Sequence, residues 1–317
     1  MAPAKLRVVL ACALAFAAGR TAPAADQISL GTATPGGGFP VFGSAFAQAI
    51  HEADNSIEIQ PRQTSGSFEN VRLLESGEID LALVQGEVAE QAFAGLDRDG
   101  EKLRIVAAMY TSPGMFVVRA DSPYRQIRDL VGKPVAFGTR GSGLVLLARN
   151  VLAGLGLDPD RDFRAIYLER AADGPLMLEE RRVAALWGAG LGWPSFVAIS
   201  QQPAGARFIV PDATEQSRIL AREPSLRRLT VPADSYVGQT APIETVGSWS
   251  YVLAREDWSE AIAYRLARAL DHAQPALGKN LRAARETTLA NTVAAAPGLQ
   301  LIHPGVQRYL RENGWVK

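Results

Sequence analysis

The residues able to do chemistry in this chain are thinly spread. Its three histidines, His51, His272 and His303, stand far apart and form no H-E-x-x-H pair, so spacing encodes no metal site. The run from Gly36 to Gly43 lacks a glycine at position 41 and misses the dinucleotide pattern G-x-G-x-x-G. No G-x-x-x-x-G-K-[ST] phosphate loop occurs, and Gly141-Ser142-Gly143 is not the G-x-S-x-G of a nucleophile elbow. A hydrolase would have to use Ser67 or Ser142, and no base stands near either in sequence. The chain is therefore expected to be non-catalytic, with no cofactor and no metal.

What remains is four polar loops, at 34–38, 64–67, 85–86 and 139–143. Each follows a strand-like apolar run and precedes a helical one. In open α/β sheets that edge collects ligands. The first N–H groups of the following helix lack partners, and its dipole favours negative charge. Glycines admit a ligand close to the backbone, and Ser and Thr add hydroxyls. Arg140 is the one cation inside these loops and would pair a carboxylate bidentately if it faced the ligand. Trp187 and Trp193 flank Gly188-Ala189-Gly190-Leu191-Gly192, a link that would let a ring line a cleft wall. Core packing is the competing role, more so for Trp187. Tyr236 is a further candidate hydroxyl. The pairs Glu179-Glu180 and Arg181-Arg182 read as a solvated helix face.

The elements that must position these loops alternate between strand and helix. Ile28–Ala33 reads as a strand, and Val41, Phe42, Ala45, Phe46, Ala49 and Ile50 recur at helical spacing. Ile57–Gln60 and Asp80–Val84 read as strands, with a helix through Val71, Leu73 and Leu74 between them. Leu103–Tyr110 and Met115–Ala120 read as two more. The pattern then restarts at Pro134–Gly138, with a helix over Leu144–Leu155 and strands at Phe163–Leu168, Val183–Trp187 and Phe208–Val210. Glu244–Ala254 is a long strand-like run that would cross back, and the remainder is helical: Trp258–His272, a stretch around Leu281–Leu289, and Pro304–Asn313. Alternation of this kind predicts the α/β class, with parallel sheets covered by helices. Two units follow, one lobe of 26–114 plus 250–317 and a second of 115–249, joined by crossings near Phe116 and Trp249 that would act as a hinge.

Composition agrees. A length of 317 residues with 47% apolar content supplies two cores, and 33 basic against 33 acidic residues leave no excess that would suggest nucleic acid. Residues 1–24 read as a signal peptide: Lys5 and Arg7, an apolar run from Val8 to Ala18, then Ala22-Pro23-Ala24. The run is too short for a span of about 20 residues. Cleavage would remove Cys12, the only cysteine, so the mature periplasmic protein would hold no disulfide and no membrane span of its own.

The loops and their order resemble the TAXI family of TRAP-transporter solute-binding proteins, over nearly the whole mature chain. Gly31-Thr32 followed by Gly37-Gly38 resembles the family's opening loop. Ser65-Gly66-Ser67-Phe68-Glu69-Asn70-Val71-Arg72-Leu73-Leu74, then Ser76-Gly77-Glu78-Ile79-Asp80-Leu81-Ala82 and Val84-Gln85, resembles its most recognisable block. Asp129-Leu130-Val131-Gly132-Lys133-Pro134-Val135 with Gly141-Ser142-Gly143, and His303-Pro304-Gly305 with Tyr309 and Gly314, are similar to its second lobe and its ending. The resemblance implies a type II periplasmic-binding fold of two α/β lobes on a two-crossing hinge. It also implies capture of an organic anion (an amino acid or small carboxylate) and delivery to a TRAP-type permease driven by an ion gradient. With the loop argument it nominates as ligand-binding Thr32, Gly37, Gly38, Phe39, Ser65, Gly66, Ser67, Gln85, Thr139, Arg140, Gly141, Ser142, Gly143, Gly188, Gly190 and Trp193. Two departures, Phe39-Pro40 where the family often has tyrosine and Val183–Trp187 running into Gly188 without an acid, imply a less polar pocket. A sensory protein presenting its closed form to a receptor would carry the same features.

Overall fold

A computed structural model describes residues 25–95 and 102–317. The expected signal peptide, 1–24, lies outside the described residues. The chain opens with β1 (Asp26–Gly31), α1 (Gly38–Ala53), β2 (Ile57–Arg62), α2 (Ser67–Glu75), β3 (Leu81–Gln85) and α3 (Gly86–Phe93). β1 pairs in parallel with β2 on one side and with β3 on the other. α1 forms because Phe42, Phe46, Ala49 and Ile50 fall on one face and are buried, with Phe42 stacked on Phe46 at 5.5 Å. Burying each large apolar side chain contributes roughly 1.5–3 kcal/mol.

The middle of the chain gives β4 (Leu103–Arg119), β5 (Pro134–Thr139), α4 (Gly143–Gly154), α5 (Pro159–Asp162), β6 (Arg164–Leu168), α6 (Gly174–Glu179), β7 (Ala185–Ala189), α7 (Pro194–Ser200), β8 (Ala206–Ile209), α8 (Ala213–Arg222), β9 (Arg227–Val231) and β10 (Ile243–Arg255). α9 (Glu260–Asn280), α10 (Leu289–Ala295) and α11 (Pro304–Glu312) close it. The strand order is β2-β1-β3-β10-β4-β7-β5-β6, with β8 on β4 and β9 on β10. The strands β2, β1 and β3, with the ends of β10 and β4 beside them, carry one lobe. The strands β6, β5 and β7, with the far end of β4 and with β8, carry the other.

Helices cover both faces of each group. On the first lobe α1, α9 and α11 bury one face and α2, α3 and α10 the other. On the second, α4 and α8 pack around Phe116, Phe137 and Trp187, while α6 and α7 pack around Leu186 and Phe196. Among the described residues no helix is long and apolar enough to cross a membrane.

The two strands read at Leu103–Tyr110 and Met115–Ala120 are one continuous strand, β4. Thr111-Ser112-Pro113-Gly114 has the composition of a break, yet it stays extended because β10 runs antiparallel beside it, pairing Trp249 with Thr111, Ser248 with Ser112 and Gly247 with Pro113. A β-carbon at position 247 would collide with the Ser112 carbonyl, so glycine is what allows the two backbones to meet there. β9 was hidden by its exposed arginines, Arg227 and Arg228, and is held by pairing with β10. α9 continues past His272 to Asn280 through Pro275, and the stretch after it divides into a 3-10 turn over Arg282–Glu286 and α10.

Candidate ligand-binding site

The C-terminal ends of β1, β3, β5 and β7 face one cavity of about 620 Å³, its mouth included. The first lobe lines it with Ala33, Thr34, Gly37, Gly38, Phe39, Gly66, Ser67, Gln85, Tyr110 and Ser112. The second lines it with Gly138, Thr139, Ser142, Gly143, Leu144, Leu168, Ala171, Ala189 and Trp193. Around its edge the lobes touch directly. Phe68 N–H donates to Gly141 O at 3.3 Å, Ala172 N–H to Pro35 O at 3.3 Å, and Ala171 N–H to Thr34 Oγ1 at 3.4 Å. The Thr139 hydroxyl reaches Ser65 O at 3.5 Å.

Four helices begin at this cavity, and none is capped by a side chain. α1 starts after Gly37, α2 after Gly66, α3 after Gln85 and α4 after Ser142, each without a side-chain cap hydrogen bond. The other described helices of eight residues or more are capped. Asp212 accepts from Glu215 N–H at α8, Ser259 from Ile262 N–H at α9, and His303 from Gly305 N–H at α11. An uncapped first turn leaves N–H groups without an intrahelical partner and turns the positive end of its dipole, about half a unit charge, toward the cavity. This is fullest at α1 and α4, whose first turns carry no acid, whereas α2 and α3 carry Glu69 and Glu87 there and Phe68 N–H of α2 already donates to Gly141 O. Four such ends against one cavity make a seat for an oxyanion without any cationic side chain.

Gln85 adds a side chain to that seat. It is 3% exposed, it lines the cavity, and its Nε2 has no hydrogen-bond partner. Its backbone N–H donates to Ser67 Oγ at 3.1 Å, which fixes the Ser67 hydroxyl on the cavity floor. Burial lifts the Tyr110 hydroxyl above its usual range, so it stays a neutral phenol at the cavity wall. Behind Gln85 lies Glu87, 3% exposed, with neither carboxyl oxygen in hydrogen-bond geometry although Ser248 and Gln85 stand beside it. Desolvation pushes its pKa up to about 7.

The nominated residues divide. Gly37, Gly38, Phe39, Gly66, Ser67, Gln85, Thr139, Ser142, Gly143 and Trp193 line the cavity. Thr32 does not; its hydroxyl donates to Arg62 O at 2.9 Å and so ties β1 to the end of β2. Ser65 and Gly141 give their carbonyls to the contacts between lobes and stand outside the lining. Gly188 lies under the Trp193 ring, where any β-carbon would clash, and so it seats that ring without lining the cavity. Gly190 lines an adjoining recess. Its carbonyl accepts from the Tyr236 hydroxyl at 2.9 Å, and that oxygen accepts from Gly192 N–H at 3.1 Å, so Tyr236 braces the glycine link. Trp187 is core, its Nε1–H donating to Leu144 O at 2.9 Å.

Arg140 is the main correction. Its guanidinium lies 4.3 Å over the Tyr167 ring, in a surface groove with Phe68 and Arg149 rather than at the cavity. A cation over an aromatic face is attracted by about 0.5–1 kcal/mol at exposed sites, enough to hold it outward. Arg140→Ala is accordingly expected to leave ligand affinity within about twofold by calorimetry, a change of less than roughly 0.5 kcal/mol; a tenfold loss would return it to the site.

Sequence reasoning passed over Tyr110, Leu144, Leu168 and Ala171, which look like ordinary core positions until the lobes meet. It also passed over Asn70. That fully buried amide donates to Thr32 O at 2.7 Å and Leu83 O at 2.8 Å and accepts from the Thr64 hydroxyl at 2.7 Å, fixing the loops after β1, β2 and β3 to one another. Its signal was the helical position inside the 65–74 block, on the face turned to the sheet. Neither Ser67 nor Ser142 has a histidine or carboxylate among its hydrogen-bond partners: Ser67 Oγ accepts from Gln85 N–H, and Ser142 Oγ donates to Thr139 O at 2.7 Å. Among the described residues no group of three or more His, Cys, Asp or Glu is placed to hold a metal ion.

The fold is that of periplasmic binding proteins. The alkanesulfonate-binding protein SsuA of Xanthomonas axonopodis pv. citri, solved with MOPS bound, is 20% identical over 92% of this chain and 85% of that one, with a TM-score of 0.50. The aliphatic sulphonate-binding protein SsuA of Escherichia coli gives 20% identity, 92% and 84% coverage, and a TM-score of 0.50. A structure described as a periplasmic transporter gives 13% identity, 81% and 87% coverage, and 0.57. At these identities the likeness is one of fold. The NMT1-like family matches residues 30–314, nearly all of the described chain, and this protein belongs to that family.

Proposed function

We propose that this protein is a periplasmic solute-binding protein that holds a small organic anion, a carboxylate or amino acid, in the cavity between its lobes. It would release that solute to a TRAP-type permease, as the resemblance to the TAXI family implies. The observation that carries the reading is the convergence of four uncapped helix N-termini on one cavity, while the long helices elsewhere in the described chain are capped. The first N–H groups of a helix have no intrahelical partner, and an oxyanion satisfies several at once, each charge-assisted bond contributing about 1.5–3 kcal/mol. The lobes 26–114 plus 250–317 and 115–249 would part to admit the solute and meet again over it, excluding water and strengthening those bonds.

Thermal unfolding tests this. An organic anion at a hundred times its dissociation constant stabilises the folded state by about 2.7 kcal/mol. For a chain of this size that is a rise of several degrees, on the order of 5 °C. A screen of carboxylates, amino acids and sulfonates is expected to find such a rise. If no organic anion moves the midpoint, the reading fails.

A further inference from the structure

The cavity lacks something that a general receptor for amino acids or dicarboxylates needs. No Arg, Lys, His, Asp or Glu stands among its lining residues. Arg140 is held outside over Tyr167, and Glu87, beside Gln85, is buried with no ion pair among the described residues. Its polar side chains are the neutral Gln85 and the hydroxyls of Thr34, Ser67, Ser112, Thr139 and Ser142, and the rest of the cavity wall is apolar, with Phe39, Leu144, Leu168 and Trp193 beside the neutral ring of Tyr110. The four helix ends can neutralise one oxyanion. A second carboxylate would lie desolvated against these rings, and a free ammonium would find no carboxylate, so each would be buried without its counter-charge.

The apolar wall also continues. Gly38, Tyr110, Ala189 and Trp193 are shared with a neighbouring recess of about 290 Å³, lined further by Val41, Leu191 and Leu281, with no charged residue in its lining. Val41 is 44% exposed, a large apolar side chain left on the surface at the recess mouth. We infer, resting on the binding reading above, that the solute is an organic monoanion whose single oxyanion head takes the helix ends and whose apolar body runs between Tyr110 and Trp193 into this recess. The class is that of straight-chain and arylalkyl monocarboxylates and their sulfonate counterparts. Dicarboxylates and zwitterionic amino acids fall outside it.

The test measures dissociation constants by calorimetry for butanoate, hexanoate, octanoate, 4-phenylbutanoate and octanesulfonate, with glutarate and glutamate as the two-charge probes. Affinity is expected to rise about threefold to fourfold per added methylene along the chain series, the transfer gain of one buried CH₂. Glutarate and glutamate are expected to bind at least tenfold more weakly than hexanoate. Val41→Asp places a charge at the recess mouth, on the surface of the first turn of α1, where an acid suits the helix end. It is expected to cost tenfold or more for octanoate and 4-phenylbutanoate and clearly less for butanoate, whose loss reports only the added charge near the α1 end. Octanesulfonate binding more tightly than octanoate assigns the head group as sulfonate, and the reverse as carboxylate; either supports the class. Tightest binding of glutarate or glutamate overturns the inference and leaves the solute-binding reading in place. Equal losses for butanoate and octanoate in Val41→Asp, or none for octanoate, overturn the route through the recess. Failure of every probe to bind overturns both.

Discussion

Gly143→Val is expected to fold normally and to lose ligand binding. Gly143 begins α4 on the second lobe, and its neighbours across the cavity belong to the first. A β-carbon there would stand 2.5 Å from Gln85 Cβ and 3.1 Å from Ser67 Oγ. No real β-carbon tolerates the first distance, and valine adds two methyls beyond it. With the lobes apart that clash disappears, so the variant escapes it by staying open. The expected result is an unfolding midpoint within a few degrees of the parent and an affinity lowered by tenfold to a hundredfold or more, from overpacking of roughly 1–3 kcal/mol and loss of the closed form. Calorimetry beside thermal unfolding checks both halves of the claim. Parent-like affinity in this variant would mean that the solute does not need the lobes to meet.

Glu87 sets the second large effect, on stability against pH. Its carboxyl is buried without a cation, and its native pKa stands at about 7 against 4.5 for the ordinary group. Below 4.5 it is protonated in both the folded and unfolded chains and costs nothing. As pH rises from 4.5 to 7 the unfolded chain gives up the proton and the native one resists, so stability falls. Above 7 the loss is complete, at roughly 3 kcal/mol. Glu87→Gln removes the titration. Urea unfolding at pH 5 and pH 8 is expected to show the variant gaining about 2–3 kcal/mol on the parent between those two values. A difference that does not change with pH would place Glu87 in contact with water in the native protein.

The fold class was legible because parallel α/β sheets write themselves plainly: short apolar strands such as Leu81–Gln85 alternate with amphipathic helices such as α1. Where tertiary pairing overrode local composition, the reading failed. Ser112-Pro113 looks like a turn and is strand only because β10 lies against it, and β9 has a charged surface that only its partner strand explains. The polar loops named from their sequence do gather at one cavity, since position at the C-terminal edge of a strand follows from the topology. Side-chain direction does not follow. Nothing in the string Thr139-Arg140-Gly141 says that Tyr167, a strand away, will draw the guanidinium outward. Nor does a strand residue such as Tyr110 announce that its ring will face a gap rather than a core.

β4 and β10 carry a further consequence. Each is a single extended segment, 17 and 13 residues long, that contributes hydrogen bonds to both lobes, and the two are laced together along most of their length. Opening of the proposed kind would therefore have to flex a paired ribbon instead of swivelling on a slack tether. Two such crossings would confine the swing to one arc. The amides along the ribbon, at Thr111 and Ser112 and from Gly247 to Trp249, would remain slow to exchange with solvent even while the mouth on either side stands wide.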